Sequence, residues 1–274
     1  MRSTLAVKAV LLASLGAACL SVAVSSLPAP ADLAPATLVV LTGVKLALLA
    51  AAAHWSFVSR KRLHAGPRIA RAWGLLCAGF AGLALGHVVL SLEQVLYANP
   101  PFPATSDVLF IAGQVFLVAA LSDFLGAYRE SGLFSEKGAH RALVVAIAGA
   151  AILGGLLLVT IARLPAPWLE RATSSTYALL DLAILMTLAL LVRQARQLGG
   201  QVGRAWALLL GGFTVFSAAD VAFGYLHALD SEPSLLLSQV PFLVAYGLAS
   251  AGTRLQLALI AVEPGRRDSP APRH

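Results

Sequence analysis

Apolar residues in this chain form long runs, separated by short polar segments that hold most of the charged side chains. Each run has room for the ~20 residues that an α-helix needs to cross a hydrocarbon core. The pattern predicts an all-α integral membrane protein with eight transmembrane helices. Their approximate bounds are 4–27, 34–57, 70–97, 103–127, 141–162, 170–193, 204–228 and 233–257.

The composition agrees with a membrane protein. The chain is 58% hydrophobic and 12% charged, whereas a soluble domain carries about 25% charged residues. The net charge is +7, but the basic residues lie at the ends of the apolar runs and do not form one stripe. They therefore indicate membrane orientation, and no nucleic-acid partner is expected.

The first apolar run has some features of a secretory signal peptide, because Arg2 and Lys8 flank it and small residues follow. The run is longer than the usual hydrophobic region of such a peptide. Retention as a helix is therefore favoured over cleavage. Cleavage would leave seven spans with the same orientation.

The basic residues predict that orientation. Of the 20 lysines and arginines, all except Lys45, Arg163 and Arg171 lie on one side of the predicted spans. Because such residues are retained in the cytoplasm, both termini are predicted to be cytoplasmic. The tail, 259–274, is polar and rich in proline, which is typical of disordered segments.

Two of the apolar runs match each other without a gap. The stretch RAWGLLCAGF at 71–80 aligns with RAWALLLGGF at 204–213. In the same register His87 stands opposite Asp220. The two copies lie in the third and the seventh predicted spans. Because this offset of four spans is even, both copies have the same orientation, and the match indicates a parallel repeat.

A shorter match extends this repeat, since VKLALL around Lys45 resembles LDLAIL around Asp181. The sequence thus predicts two four-helix repeats, 1–130 and 131–258, followed by the tail. Chance similarity between apolar segments is the alternative explanation.

Polar side chains inside the runs share one depth. Each lies about 9 to 11 residues from the outer end of its span, which is roughly 13–17 Å below the outer surface. They are Lys45, His87, Gln114, Asp181 and Asp220. Because a lone charge in hydrocarbon is costly, these groups are expected to face the bundle interior and to pair with each other.

Two roles fit this polar layer. The groups can join helices through hydrogen bonds worth about 0.5–2 kcal/mol each, or they can line an outward pocket for a small ligand or proton. Asp107 lies higher, in the first turn of the fourth span, where a carboxylate stabilises the positive end of a helix. The candidate ligand-binding residues are Lys45, His87, Asp107, Gln114, Asp181 and Asp220.

Motifs of catalysis and of cofactor binding are not found in the sequence. No HExxH, GxSxG or Walker A motif occurs. His54 and His87 differ in depth by roughly 15 Å, which is too far for a bis-histidine haem. We therefore predict no enzyme activity, no cofactor and no metal site.

Several short motifs carry a family resemblance. They are RAWGLL at 71–76, LGH at 85–87, PATSDVLF at 103–110, and the segments around Asp181 and Asp220. Together they resemble the multi-span sensor region that precedes GGDEF diguanylate cyclase or histidine kinase domains in many bacteria. By this resemblance, the acidic residue of the family's GD pair falls on His87, which departs from the pattern. The acidic residue of its PSxAD turn falls on Asp107, which is kept.

The resemblance implies a sensory or receptor-type module in the lipid bilayer of the inner (plasma) membrane of a bacterium. The tail is too short for a folded output domain, so a cytoplasmic signalling protein is the expected partner and a small external molecule the expected ligand. A small-solute or proton-coupled transporter is the alternative. A transporter would need polar groups that continue to the inner face, where the sequence offers only His54 and Asp123 as ionisable groups.

Overall fold

The regular secondary structure of the computed structural model is α-helix throughout the residues that it describes. These residues are 2–26, 33–62, 66–97, 101–131, 144, 148–149, 152, 154–163, 166–197, 200–228 and 235–260. The helices are α1 (Arg2–Ser26), α2 (Leu33–Arg62), α3 (Pro67–Leu96), α4 (Thr105–Glu130), α5 (154–162), α6 (Trp168–Gln197), α7 (Gly200–Ala228) and α8 (Leu235–Ile260).

Six helices of the described part are long and apolar enough to cross a membrane: α2, α3, α4, α6, α7 and α8. Helix α1 contributes a shorter apolar stretch, Ala6–Cys19. The architecture is that of a multi-pass helical membrane protein. The count of eight spans stays a prediction, because most of 132–153 lies outside the described residues. The predicted tail also lies outside them beyond Ile260, where α8 ends.

The helices extend a few residues past the predicted apolar spans at one end of the bundle. Helix α2 ends on Arg60, Lys61 and Arg62, and α4 and α6 carry Arg129 and Arg196 in their last turns. Cationic side chains stabilise the negative C-terminal end of a helix. Together with the arginines that begin α3 and α7, these residues define the basic ends of the helices.

The six long helices form a closed ring in the order α2, α3, α4, α6, α7, α8, and α8 contacts α2 to close it. Helix α1 packs against α8 and, less extensively, against α2. A single large apolar core draws on all six ring helices. The interior of the ring is therefore a packed core.

Aromatic side chains fill the centre of the ring. Phe80 of α3 stacks on Phe213 of α7 with ring centroids 6.4 Å apart, although these two helices are not neighbours in the ring. Nearer the basic ends, Phe124 of α4 packs edge-on against Trp73 and Trp206, at centroid distances of 5.1 and 5.2 Å. These rings are all buried.

Glycines allow two pairs of neighbouring helices to approach closely. A Cβ built on Gly82 of α3 would lie 2.9 Å from the Gly113 Cα of α4. A Cβ built on Gly212 of α7 would lie 2.7 Å from the backbone oxygen of Ala245 in α8. Interfaces of small residues stabilise membrane helices through van der Waals contact between their backbones.

We expect Gly82→Ala to destabilise the bundle by about 1–3 kcal/mol, because the added methyl group must displace the α4 backbone. The matched control is Gly43→Ala in α2, where a Cβ would meet no atom of the described residues within 4 Å. Unfolding of the purified variants in bicelles, followed by circular dichroism, measures the difference. Equal stability of the two variants would contradict close packing between α3 and α4.

Candidate functional site

The predicted site residues lie in the half of the ring that is remote from the basic ends. Lys45, His87, Gln114 and Asp181 are at most 6% exposed, and Asp107 and Asp220 are partly buried. This agrees with the expectation that polar groups inside the apolar runs face the bundle interior.

One hydrogen bond joins α4 to α6. Gln114 Nε2 donates to Asp181 Oδ1 over 3.1 Å. The amide oxygen of Gln114, Oε1, and the other carboxylate oxygen of Asp181, Oδ2, have no hydrogen-bond partner among the described residues. Ser217 of α7 lies close to Asp181, but its hydroxyl makes no hydrogen bond of acceptable geometry within the described part of the chain.

Two further carboxylates lie near this bond. Asp107 accepts a hydrogen bond from the Tyr177 hydroxyl of α6, at 2.7 Å, and one from the backbone N–H of Ala104, at 2.6 Å. The second contact confirms the predicted role of Asp107 at the positive end of α4. Asp220 of α7 is close enough to Asp181 and Asp107 to interact electrostatically.

We call this group the acidic cluster. It draws on α4, α6 and α7, which are consecutive in the ring. Its members are Asp107, Gln114, Tyr177, Asp181, Ser217 and Asp220.

A basic cluster, formed by Lys45, His87, Gln239 and Tyr246, lies on the opposite side of the ring, on α8, α2 and α3. Lys45 Nζ donates a hydrogen bond to Gln239 Oε1. His87 Nε2 lies 2.8 Å from the Tyr246 hydroxyl oxygen. The imidazole also packs edge-on against Phe110, with ring centroids 5.0 Å apart.

The two clusters do not meet as ion pairs. None of the ion pairs among the described residues includes Lys45, His87, Asp181 or Asp220. The expected pairing of polar groups with each other is therefore seen for Gln114 and Asp181. Lys45 and His87 instead bind neutral side chains of α8.

Gln239 and Tyr246 were missed, although Gln114 was not, because the candidates in the apolar runs were chosen mainly among ionisable groups. A sequence signal for them does exist. SDVLF at 106–110 in α4 recurs as SQVPF at 238–242 in α8. This register places Gln239 opposite Asp107 and Tyr246 opposite Gln114. The polar positions of α4 therefore predict which positions of α8 are polar.

At the basic ends, ion pairs join α3 to α4. Arg71 donates two hydrogen bonds to the Asp123 carboxylate, at 2.6 and 2.7 Å. Arg68 Nε lies 3.7 Å from the same carboxylate, and its guanidinium pairs with Glu130. A bidentate arginine–carboxylate contact fixes the geometry of the two groups as well as contributing energy.

Near the other end of the same two helices, the buried side chain of Glu93 joins α3 to the first turn of α4. Its carboxylate accepts hydrogen bonds from the Ser106 backbone N–H and hydroxyl, at 3.2 and 2.6 Å. Both carboxylate oxygens are thus engaged within the protein.

Buried polar side chains also continue towards the basic ends, where the sequence pointed only to His54 and Asp123. His54 is exposed. The buried neutral residues are Ser56, Ser59, Gln194, Thr253 and Gln256. The polar contrast between the two halves of the bundle is therefore smaller than the ionisable groups alone suggest.

The stack of Phe80 on Phe213 lies between that region and the two clusters. Phe80 is seven residues from His87 on α3, and Phe213 is seven residues from Asp220 on α7. Seven residues correspond to about 10 Å along a helix axis. A separate groove of about 700 Å³ lies between α1, α7 and α8, and it contains no predicted site residue.

Comparisons with known proteins find no matching family model, no matching curated protein and no matching solved structure. The resemblance to bacterial sensor regions therefore remains a prediction from short motifs.

We expect Tyr246→Phe to destabilise the protein by about 1–3 kcal/mol, because the buried imidazole of His87 loses its hydrogen-bond partner. The control Tyr97→Phe removes an exposed hydroxyl at the end of α3 and should change stability by less than about 0.5 kcal/mol. Equilibrium unfolding of the parent protein, of Tyr246→Phe, of His87→Leu and of the double variant gives the coupling energy of the two side chains. Tyr97→Phe is measured in the same way. A coupling near zero would exclude a stabilising bond between His87 and Tyr246.

Proposed function

We propose that this protein is a membrane-embedded sensory or receptor-type module. A small external ligand binds in the polar layer and changes how two halves of the ring pack against each other. The halves are 1–130, with α1 to α4, and 131–258, with α5 to α8. In this proposal they are parallel repeats in the inner membrane, and both termini and the basic ends face the cytoplasm.

The order of the helices in the ring supports the duplication. The contact of α2 with α3 corresponds to that of α6 with α7, and the contact of α3 with α4 to that of α7 with α8. The contact of α4 with α6 likewise corresponds to that of α8 with α2. Phe80 and Phe213, which are matched in the sequence, stack on each other in the centre of the ring, as residues near a two-fold axis do.

The functional proposal rests on the positions of two hydrogen bonds. Within the ring, the proposed halves meet where α4 contacts α6 and where α8 contacts α2. The bond from Gln114 to Asp181 spans the first contact, and the bond from Lys45 to Gln239 spans the second. A ligand that competes for these groups acts directly on the packing of the halves.

Each half also contains a closely packed helix pair that can transmit such a change. Helices α3 and α4 approach at Gly82 and Gly113 and are joined at their basic ends by Arg71 and Asp123. Helices α7 and α8 approach closely at Gly212. Packed helix pairs move as units, so rearrangement in the polar layer reaches the basic ends. A cytoplasmic signalling protein is the proposed reader of those ends.

A second candidate function is a small-solute or proton-coupled transporter. The buried polar side chains near the basic ends, such as Ser59, Gln194 and Gln256, favour it. Transport would require the stack of Phe80 on Phe213 to open. Proton flux into proteoliposomes, followed with a pH-sensitive dye under an imposed membrane potential, distinguishes the candidates, because a receptor produces no flux above protein-free vesicles.

Outward access to the polar layer is tested by cysteine labelling in a protein lacking Cys19 and Cys77, both of which are free thiols. Ser217→Cys should react with a membrane-impermeant thiol reagent added from outside, because its hydroxyl lies in the acidic cluster. The control Leu117→Cys replaces a fully buried apolar residue of α4 and should stay unlabelled. Equal labelling of both positions, or of neither, would contradict an outward pocket.

Coupling to the basic ends is tested with spin labels at Arg62 of α2 and Arg196 of α6, which are both exposed. Asp181→Leu removes the acceptor for Gln114 and should shift the distance between the labels by an amount on the order of 1–2 Å. Asp181→Asn keeps an acceptor oxygen and should shift it less. Identical distance distributions in both variants and the parent protein would show that the polar layer does not control the packing of the halves.

A further inference from the structure

The two polar clusters occupy matched positions of the proposed duplication. The aligned segments of α2 and α6, of α3 and α7, and of α4 and α8 bring four residues of one cluster into register with four of the other. The matched pairs are Lys45 with Asp181, His87 with Asp220, Gln239 with Asp107, and Tyr246 with Gln114. The chemistry of each pair differs, and the charges differ most.

The basic cluster contains its own cation, and the acidic cluster does not. The Lys45 ammonium binds Gln239 at the contact between α2 and α8. At the corresponding contact, Asp181 Oδ2, Gln114 Oε1 and Ser217 Oγ have no hydrogen-bond partner among the described residues. These three side chains are 3%, 0% and 7% exposed. Buried oxygen atoms without a partner destabilise a protein, and the side chains of Gln114 and Ser217 both lie beside Asp181.

We propose that the acidic cluster binds a small monovalent cation of the size of sodium, at the place that corresponds to the Lys45 ammonium of the other half. Asp181 Oδ2, Gln114 Oε1 and Ser217 Oγ are its ligands, and the Asp220 carboxyl group lies nearby. Carboxylate, amide carbonyl and hydroxyl oxygens suit a hard cation. One positive charge matches the single ammonium of the basic cluster.

The donor set is also unlike that of a transition metal. Within the described part of the chain, no three histidine, cysteine, aspartate or glutamate side chains are arranged to hold a metal ion. The proposed ligands come from α4, α6 and α7, so the cation strengthens the contact between the halves at α4 and α6. The inference rests on the proposed receptor function and gives it a class of ligand.

The test uses the full chain in nanodiscs, with sodium chloride replacing choline chloride at constant ionic strength so that charge screening is unchanged. Sodium should raise the Tm saturably by several degrees, because a ligand that binds the folded state stabilises it. Asp181→Asn should abolish the response, since it removes the charge but keeps the shape. Glu170→Gln, at the start of the same helix, should retain the response.

A second variant supplies the cation as a side chain. Gln114→Lys should place an ammonium beside Asp181, so that the protein is stable without sodium and no longer responds to it. A full sodium response in Gln114→Lys or in Asp181→Asn would overturn the proposal. Stronger stabilisation by calcium than by sodium, or stabilisation by acidification with no sodium effect, would also overturn it.

The cation site and the receptor function can fail separately. Labelling of Ser217→Cys from outside, without any sodium response of the parent protein, would reject the cation site and retain the outward pocket. Absence of both would reject both.

Discussion

Hydrocarbon offers no hydrogen bonds, so each polar group inside this bundle needs a partner from the protein or from a bound solute. The basic cluster satisfies its groups internally, because Lys45 bonds to Gln239 and His87 to Tyr246. The acidic cluster leaves oxygen atoms of Gln114 and Asp181 without such partners among the described residues. The acidic cluster is therefore where the proposed cation would supply the missing partner.

The closest backbone packing and the hydrogen bonds of Lys45 and Asp181 have separate places in the ring. Within each proposed half, one helix pair is held by close backbone contact, at Gly82 or at Gly212, and such contacts tolerate little displacement. Between the halves, each of the two helix contacts that belong to the ring carries a hydrogen bond of Lys45 or Asp181. A hydrogen bond can exchange its partner for a ligand with little net change in energy. The contacts between the halves are thus where differential binding shifts the packing.

The helices could be predicted from sequence because long apolar runs are a strong signal, but the closed ring could not, since a run does not specify its neighbours. The depth of Lys45 and Asp181 followed from their positions in the runs. The hydrogen-bond partner of Lys45 could not be predicted in this way, because Gln239 is an uncharged residue in an apolar segment. The ion pair of Arg71 with Asp123 could have been predicted, since α3 and α4 are consecutive antiparallel helices and both residues lie near the end at which the helices carry basic residues.

A duplicated ring with two identical polar contacts would respond to a ligand at both contacts alike. Here, in the proposed duplication, Lys45 supplies a tethered ammonium at the contact of α2 with α8, so that contact is independent of any dissolved cation. The matched contact of α4 with α6 carries Asp181 and depends on one. A change in occupancy then acts on one side of the ring only, while the other side keeps its bond. In the proposed receptor, the halves would therefore rotate about the permanent contact instead of separating evenly, and a small change in the polar layer would become a directional displacement at the basic ends.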